Sequence, residues 1–494
     1  MTTVERPGVV EGTTGRFETV IGLEVHCELS SATKLFCGCP NAFGAEPNTN
    51  VCPVCLGLPG SLPVLNERAV ELAMRIGAAL GCEIRPSVFH RKNYFYPDMP
   101  KDYQVSQYDE PINVDGSLEL PDGTRVGIVR AHIEEDTGKT THVGATGRIH
   151  GADYSLVDYN RAGVPLVEIV SAPDLRTSDQ ARAYVAELRA LLVATGASDG
   201  RMEEGSMRVD ANVSVRPVGS EAFGTRCEIK NLNSLRSLGR AIEHEAVRQV
   251  AVVEAGGRVV QETRHFDEES GRTSSMRSKE EAEDYRYFQE PDLVPLRPSA
   301  SWVGEVRAGL PMLPAERRRR LLTLVDGEPE AGGAGTASQV ATVVDLGLDE
   351  LVVAAVAAGA PVRVALARSA NEAAQRPDQA RLVDPAAFAA LCRLEAGGTV
   401  SATQAKQVLA ELLEHGGDPA EIARGLGFEA LGDEALSSVV DEVVAANPGE
   451  WERFVAGEEK VAQFLLGQVM RATKGRANGK VVAAALEARR GGAA

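Results

Sequence analysis

The chain has 494 residues, of which 25% are charged and 44% hydrophobic, a globular composition that excludes wholesale disorder. Its formal net charge of −18 excludes a uniformly basic nucleic-acid binder, although a local basic patch is compatible with it. That length fits about three domains, with cores large enough to fold without disulfide support.

The first twenty residues lack a basic stretch followed by an apolar one, so no secretory leader is expected and the chain is read as cytoplasmic. The apolar run Val352–Ala360 falls well short of the roughly 18 residues of a membrane span, so no membrane segment is expected. From Glu18 to Leu29 the odd positions are apolar or small, and Glu24, His26 and Glu28 share the opposite face of the predicted strand. A polar strand face is ordinarily the solvated side of an antiparallel sheet. Several such faces lining one concavity can instead hold a metal ion and phosphates.

Cys37, Cys39, Cys52 and Cys55 follow the spacing C-x-C-x12-C-x2-C across a loop carrying Pro40, Pro47 and Pro53. Two close thiolate pairs can hold tetrahedral Zn²⁺, and four sulfur ligands leave no open position, so such a metal is structural. A rival outline, His26-x-Glu28 followed by Cys52-x-x-Cys55, has the form of a zinc deaminase motif. In it Val51 stands where that motif carries Pro, and Cys37 and Cys39 go unused.

Asn66 and the apolar periodicity that ends at Gly81 predict a capped helix. Arg91, Lys92 and Tyr94 lie in a run that mixes cations with aromatics. It suits phosphate contact and base stacking, or equally a packed strand with exposed cations. His132 with Glu134, Glu135 and Asp136 offers ligands for a divalent cation. Gly138-Lys139-Thr140 imitates the end of a P-loop, but Ile133 stands where its first glycine belongs, so any ATP site is of another type. Thr177-x-x-Gln180 predicts a capping box. From Met207 to Arg216 apolar residues alternate with Arg208, Asp210 and Asn212, and Cys227 and Ile229 alternate with Glu228 and Lys230.

Of the 23 aromatic residues, 17 fall at or before Phe288, and beyond about residue 296 the chain turns to Ala, Val and Leu with helical periodicity. Domain boundaries are therefore expected near 295 and, less sharply, within 397–401. Arg317–Arg320 is read as a solvated face. The last 34 residues carry six Arg or Lys against one Glu, a local basic patch.

Longer runs carry more specific information. They include ETVIGLEVHCEL (18–29), FGAEPNTNVCPVCLGLPGSLPVLN (43–66), RKNYFYPDMPKDYQVSQYDEPI (91–112), AHIEEDTGKTTH (131–142), SLVDYNRAGVPLVEIVSAPDLR (155–176), MEEGSMRVDANVSVRP (202–217) and DYRYFQEPDL (284–293). Collinearly over 17–296 these resemble the B subunits of tRNA-dependent aspartyl/glutamyl amidotransferases, and FLLGQVMRATKGRAN (464–478) is similar to the same family.

The resemblance implies an α+β fold: a mixed α/β cradle with an antiparallel sheet and a four-cysteine zinc knuckle (1–295), a helical domain (296–400) and a small helical tail that grips tRNA (401–494). It implies ATP-dependent phosphorylation of the side-chain carboxylate of Glu-tRNA(Gln) or Asp-tRNA(Asn), followed by attack of ammonia. The ammonia would come from an amidase A subunit in a heterotrimer with a small C subunit. It places magnesium on Glu24, His26 and Glu135, and makes Lys92 a phosphate contact, with Arg91 and Tyr94 beside it for ATP. Glu168, Glu204, Asp210 and Lys230 are further catalytic candidates from matched segments. Arg471, Lys474, Arg476 and Lys480 are the expected tRNA contacts. Cys27, His90, Gln289 and Gly479 stand where the family usually has other residues.

Overall fold

A computed structural model describes residues 8–13, 15–144, 151–278, 285–327, 334–428, 433–473 and 479–493. The chain divides into two compact units, Met1–Pro314 and Ala315–Ala494.

The first unit is built on strands. They are β1 (Val9–Glu11), β2 (Arg16–Glu28), β3 (Glu83–Ile84), β4 (Phe89–Asn93), β5 (Tyr103–Gln107), β6 (Asn113–Glu119), β7 (Arg125–Glu135), β8 (Lys139–Gly144), β9 (Ala152–Asp158) and β10 (Pro165–Ser171). Then come β11 (Met207–Pro217), β12 (Cys227–Leu232), β13 (Glu262–Asp267), β14 (Arg272–Ser278) and β15 (Phe288–Gln289). Thirteen of them form one sheet whose main path runs β14-β13-β12-β11-β2-β10-β7-β5-β4-β15, while β8 and β9 make a separate ribbon. Its helices are α1 (Glu67–Ala79), α2 (Ser178–Ala194), α3 (Leu235–Glu254) and α4 (Ala300–Ala308).

The α+β class expected from the sequence is the one observed. The pairings are antiparallel except for β12 with β13, which run parallel. The exception has a simple cause: α3 carries the chain back along the sheet, and a helical crossover is what lets consecutive strands point the same way.

The alternation in β2 decides which side of the sheet is core. Ile21, Leu23, Val25, Cys27 and Leu29 are at most 1% exposed. They join one cluster with Val70, Leu72 and Ile76 of α1, Leu188 of α2 and Leu238 of α3. Asn66 caps α1 by accepting from the backbone N–H groups of Arg68 and Ala69 at 3.0 and 3.3 Å. Helix α1 lies unusually close to the sheet: a Cβ on Gly77 would meet Asn113 Oδ1 at 1.9 Å. Asn113 uses that closeness, donating to the carbonyls of Ala73 and Ala131 at 3.0 Å each. At α2, Thr177 accepts from Gln180 N at 3.0 Å. The Gln180 side chain reaches back to Arg176 N at 2.9 Å instead of to the cap residue, so half of the expected capping box forms.

The first unit extends past the composition change near 295. Helix α4 adds Val306 to the strand-domain core, with Trp302 and Val303 packed against it. In the second unit the described residues form two apolar cores, one from Leu321 to Ala423 and one from Leu436 to Leu486. Val400, Val408 and Leu409 share the first of these with Phe388 and Cys392. The glycine stretch 397–401 is therefore a turn inside one core, ended by a capping box between Ser401 and Gln404. Arg317 and Arg320 are not simply solvated. Their guanidinium groups reach the fully buried Asp349, at 2.9 Å from Arg317 Nε and 3.2 Å from Arg320 Nη2. A buried carboxylate needs such compensation.

Candidate active site and metal centres

The side of the sheet opposite α1, α2 and α3 collects the polar residues of five adjacent strands. Register determines who meets whom. His26 of β2 lies opposite Glu168 of β10 and Arg208 of β11, and Glu24 lies opposite Asp210. Glu168 in turn lies opposite His132 of β7. Across the next pair, Asn212 faces Glu228 of β12. Because strand side chains alternate, all of these residues point to one face.

Two clusters result. In the first, His26 Nε2 is 3.4 Å from Glu168 Oε2 and 3.6 Å from Glu134 Oε1. His132 Nε2 sits 3.6 Å from Glu168 and 3.8 Å from Glu134. In the second, Lys230 Nζ bridges Asp210 at 2.8 Å and Glu228 at 2.9 Å, and Asn212 donates to Glu24 Oε1 at 2.9 Å. Ligand atoms of His26, Glu134 and Glu168 lie within 4.8 Å of one another, as do those of Glu24, Asp210 and Glu228.

Proton affinities follow from this crowding. Burial by itself lowers His26, but its hydrogen bond to Glu168 and the charges of Glu168 and Glu134 outweigh that and push it up to about 9. Glu168 is held well below the usual carboxylate range: burial opposes this, and the charges of His132 and His26 overcome it. Glu24 moves the other way, raised first by burial and then by the charges of Glu168, Glu228 and Asp210. The Glu24 side is thus short of positive charge, and its oxygen-rich donors are those a hard divalent cation prefers. The Oδ1 of Asn212, buried and without a hydrogen-bond partner, marks the same deficit. These donor sets fit a divalent ion.

A pocket of about 510 Å³ opens beside Glu24, lined among others by Gly22, Ser171, Asn212, Ser214, Phe223 and Arg226. On the other flank of the clusters, Lys92 Nζ stands 4.6 Å from the Tyr285 ring centroid. Arg91 is taken up by Glu290, with bonds of 2.7 and 2.8 Å, and by Asp292 at 3.1 Å. Tyr94 stacks on Tyr96 with centroids 4.6 Å apart.

The structure brings together Glu24, His26, Glu168, Asp210 and Lys230 from the residues expected by sequence. It does not bring in Glu135 or Glu204. Glu135 points away from His26, pairs with Lys101 and accepts from Val105 N at 2.8 Å. Its neighbour Glu134 joins the cluster, because on β7 the residues that share His132's face are those two positions apart. Glu204 is exposed in a turn, paired with Arg201 at 3.0 Å. Asn212 and Glu228 are cluster members that the sequence does not single out as site residues, whereas His132 is already among its candidate ligands for a divalent cation. Asn212 lies two residues from Asp210 and Glu228 two from Lys230, on the same alternation, and this is the available signal.

The four cysteines converge as the spacing implies. Their sulfur atoms all lie within 4.8 Å of one another, with Cys52 and Cys55 at 3.9 Å. That is too long for a disulfide bond of about 2.05 Å. It matches the edge of a tetrahedron of sulfurs around zinc, about 3.8 Å for a Zn–S distance of about 2.3 Å. The Cys55 thiol is pushed down to about 5, chiefly by its hydrogen bond with Cys37, against burial and aided by the Lys34 cation. The cluster is able to hold a structural metal.

Of the expected tRNA contacts, Arg471 is exposed in the last turn of the helix Glu459–Ala472. Lys474 and Arg476 lie outside the described residues, and Lys480 falls in the helix Gly479–Ala493. Arg489, part of the same basic end, serves packing instead: it bonds Asp441 at 2.6 Å and Ser437 Oγ at 2.6 Å. Among the described residues no helix is long and apolar enough to cross a membrane.

Comparison with known proteins adds an independent line. A family model described as the GatB/GatE catalytic domain matches residues 19–304, and one described as the GatB domain matches residues 353–489. The chain is 52% identical over 482 residues to a Nocardia farcinica protein named as the B subunit of aspartyl/glutamyl-tRNA(Asn/Gln) amidotransferase, covering 94% of each chain. Relatives bearing the same name in Frankia casuarinae and Streptomyces coelicolor are 52% identical over 485 residues and 50% identical over 496 residues. These cover 94% and 97% of each chain.

Proposed function

The chain belongs to the GatB family of tRNA-dependent amidotransferase subunits, and from that membership we propose that it activates the side-chain carboxylate of Glu-tRNA(Gln), Asp-tRNA(Asn) or both with ATP and then converts it to the amide. The observation that carries the reading is the pair of acid clusters, one with imidazoles and one with a lysine, side by side on one face of β7, β10, β2, β11 and β12.

The chemistry needs such a face. A carboxylate resists attack by ammonia because hydroxide or oxide is a poor leaving group. Transfer of the γ-phosphoryl group of ATP to a carboxylate oxygen makes an acyl phosphate and ADP. Ammonia then attacks the acyl carbon, and phosphate leaves. Glu24, Asp210 and Glu228 form the oxygen set for magnesium, with His26, Glu134 and Glu168 as a second donor set. When bound, the ion neutralises charge on the transferring phosphoryl group and orients it in line. Glu134 takes the place that the resemblance gave to Glu135, since Glu135 is committed to Lys101.

The chain's own residues supply the rest. Lys92 is the phosphate-contacting cation on the aromatic flank. The pocket beside Glu24 has the volume of a nucleoside site. Lys230 holds Asp210 and Glu228 in position. Ammonia is delivered by an amidase A subunit, with a small C subunit completing a heterotrimer, and the helical tail around Arg471 and Lys480 contacts tRNA phosphates.

The test is amide formation by the chain co-purified with its amidase and small subunits. Mischarged Glu-tRNA(Gln) and Asp-tRNA(Asn) are run in parallel, with Mg-ATP and ammonium chloride. Product that requires ATP is expected from at least one tRNA. No product from either, with tRNA still bound, would make the chain a tRNA-binding adaptor.

The cysteine knuckle is proposed to hold zinc. Metal analysis of the purified complex is expected to find about one zinc ion per chain. The Cys52→Ser/Cys55→Ser double variant is expected to hold none, and wild-type protein without zinc would sink the assignment.

A further inference from the structure

The proposed reaction brings two large substrates to one face, and the two flanks of the acid clusters differ in kind. One flank is the concave pocket of about 510 Å³ beside Glu24. The other is an open surface of aromatic rings at the β5-β4-β15 edge of the sheet. Tyr108 and Tyr287 stack there nearly parallel, with centroids 4.2 Å apart and planes 8° from parallel. Tyr285 meets Tyr287 edge-on at 6.1 Å. Rings are left in solvent: Tyr108 is 46% exposed and Phe95 63%.

This surface adjoins the clusters. The Tyr287 hydroxyl is raised first by burial and next by the charges of Glu134 and Glu168. It also carries cations. Lys92 sits over Tyr285, and the Arg286 guanidinium is 5.8 Å from the Phe95 centroid. Its construction is held under strain. Arg286 has φ +43°, a conformation that side-chain-bearing residues rarely adopt. Asn93 Nδ2 secures it, donating to the carbonyls of both Tyr285 and Arg286 at 2.8 Å. Backbone strain maintained by a dedicated clamp is characteristic of a functional surface.

Stacked rings interleaved with cations are the chemistry that receives single-stranded nucleic acid, where every base offers a π-face and every link a phosphate. We propose that the Tyr108–Tyr287 stack, with Phe95 and Arg286, is the platform on which the unpaired 3′ end of the aminoacyl-tRNA lies as its amino acid reaches the His26–Glu134–Glu168 cluster. The inference rests on the amidotransferase reading. An open edge accommodates a chain that continues outward to a large RNA, whereas a free nucleotide is better served by the concave pocket beside Glu24, which has the volume for it. Tyr108 and Arg286 are accordingly positioning residues, acting on the tRNA end and not on the reacting atoms.

The test uses the holoenzyme and intact mischarged tRNA, with tRNA and ATP varied separately. Tyr108→Ala is expected to raise KM for aminoacyl-tRNA about tenfold, the loss typical of one base–aromatic stack. KM for ATP is expected to stay within about twofold, and Tyr108→Phe, which retains the ring, is expected to restore the tRNA value. Arg286→Gln is expected to reduce the salt dependence of tRNA binding by about one phosphate contact. Unchanged KM for tRNA in Tyr108→Ala, with wild-type amidation intact, overturns the platform alone. A rise confined to KM for ATP overturns it in favour of a nucleotide site. If the wild-type holoenzyme forms no amide, the amidotransferase reading falls and the platform with it.

Discussion

Glu24→Gln is expected to slow ATP-dependent amide formation about a thousand-fold while leaving the fold intact. Stabilisation of phosphoryl charge by a held cation is worth several kcal/mol, and about 4 kcal/mol corresponds to about a thousand-fold in rate. The substitution removes one anionic ligand from the Glu24–Asp210–Glu228 set but keeps an oxygen to accept from Asn212 Nδ2. The sign on stability is opposite. Burial and the neighbouring carboxylates raise Glu24, so its charge is a cost in the metal-free protein. Without magnesium the variant is therefore expected to melt no lower than wild type. This opposition between activity and stability is usual at a functional site. Single-turnover amide formation across a magnesium series, beside thermal melts, checks both halves. A loss below tenfold would remove Glu24 from the metal set. Glu204→Gln serves as the control, expected within about twofold of wild type because Glu204 is an exposed turn residue paired with Arg201, away from both clusters.

Lys101→Met is expected to destabilise the strand domain by about 3–5 kcal/mol, the cost of leaving one partner of a buried ion pair uncompensated. Glu135 is 2% exposed, and the Lys101 side chain is 8% exposed. The carboxylate keeps its bond from Val105 N but loses its cation. The double variant Lys101→Met/Glu135→Leu is expected to recover most of that loss, because an apolar pair of similar volume carries no charge to desolvate. Urea unfolding of the single and double variants makes the comparison. A single-variant loss below about 1 kcal/mol would mean that water reaches the pair through the small cavity that Glu135 and Lys101 line with Cys37 and Cys55.

Much of this protein is legible from local pattern. The alternation in Glu18–Leu29 identifies the face shared by Glu24 and His26, and β2 has that face. Asn66 marks the start of α1, and the cysteine spacing anticipates the sulfur cluster. These are properties of a few consecutive residues, set by the period of a strand, the unpaired N–H groups at a helix start and the reach of a short loop.

Other features escape for physical reasons. In the run Glu134-Glu135-Asp136 the alternation says only that neighbours point to opposite faces. Which face meets His26 depends on the register of β7 against β10. The glycines of 397–401 have the composition of a domain boundary, but a glycine turn reads the same within a core as between cores. Arg317 and Arg320 have the pattern of a solvated face, and only the fold brings Asp349 up beneath them from a distant helix.

The sequence by itself determined the strand and helix periods, the cysteine quartet and the family, because each is written in residue type and spacing along one chain. Only the tertiary structure decided that Glu134 and not Glu135 joins His26, that Glu228 and Asn212 complete the Glu24 set, and that Tyr108 stacks on Tyr287. Those meetings join segments far apart in the chain, and their partners are selected by strand register and by which sheet face the helices leave uncovered.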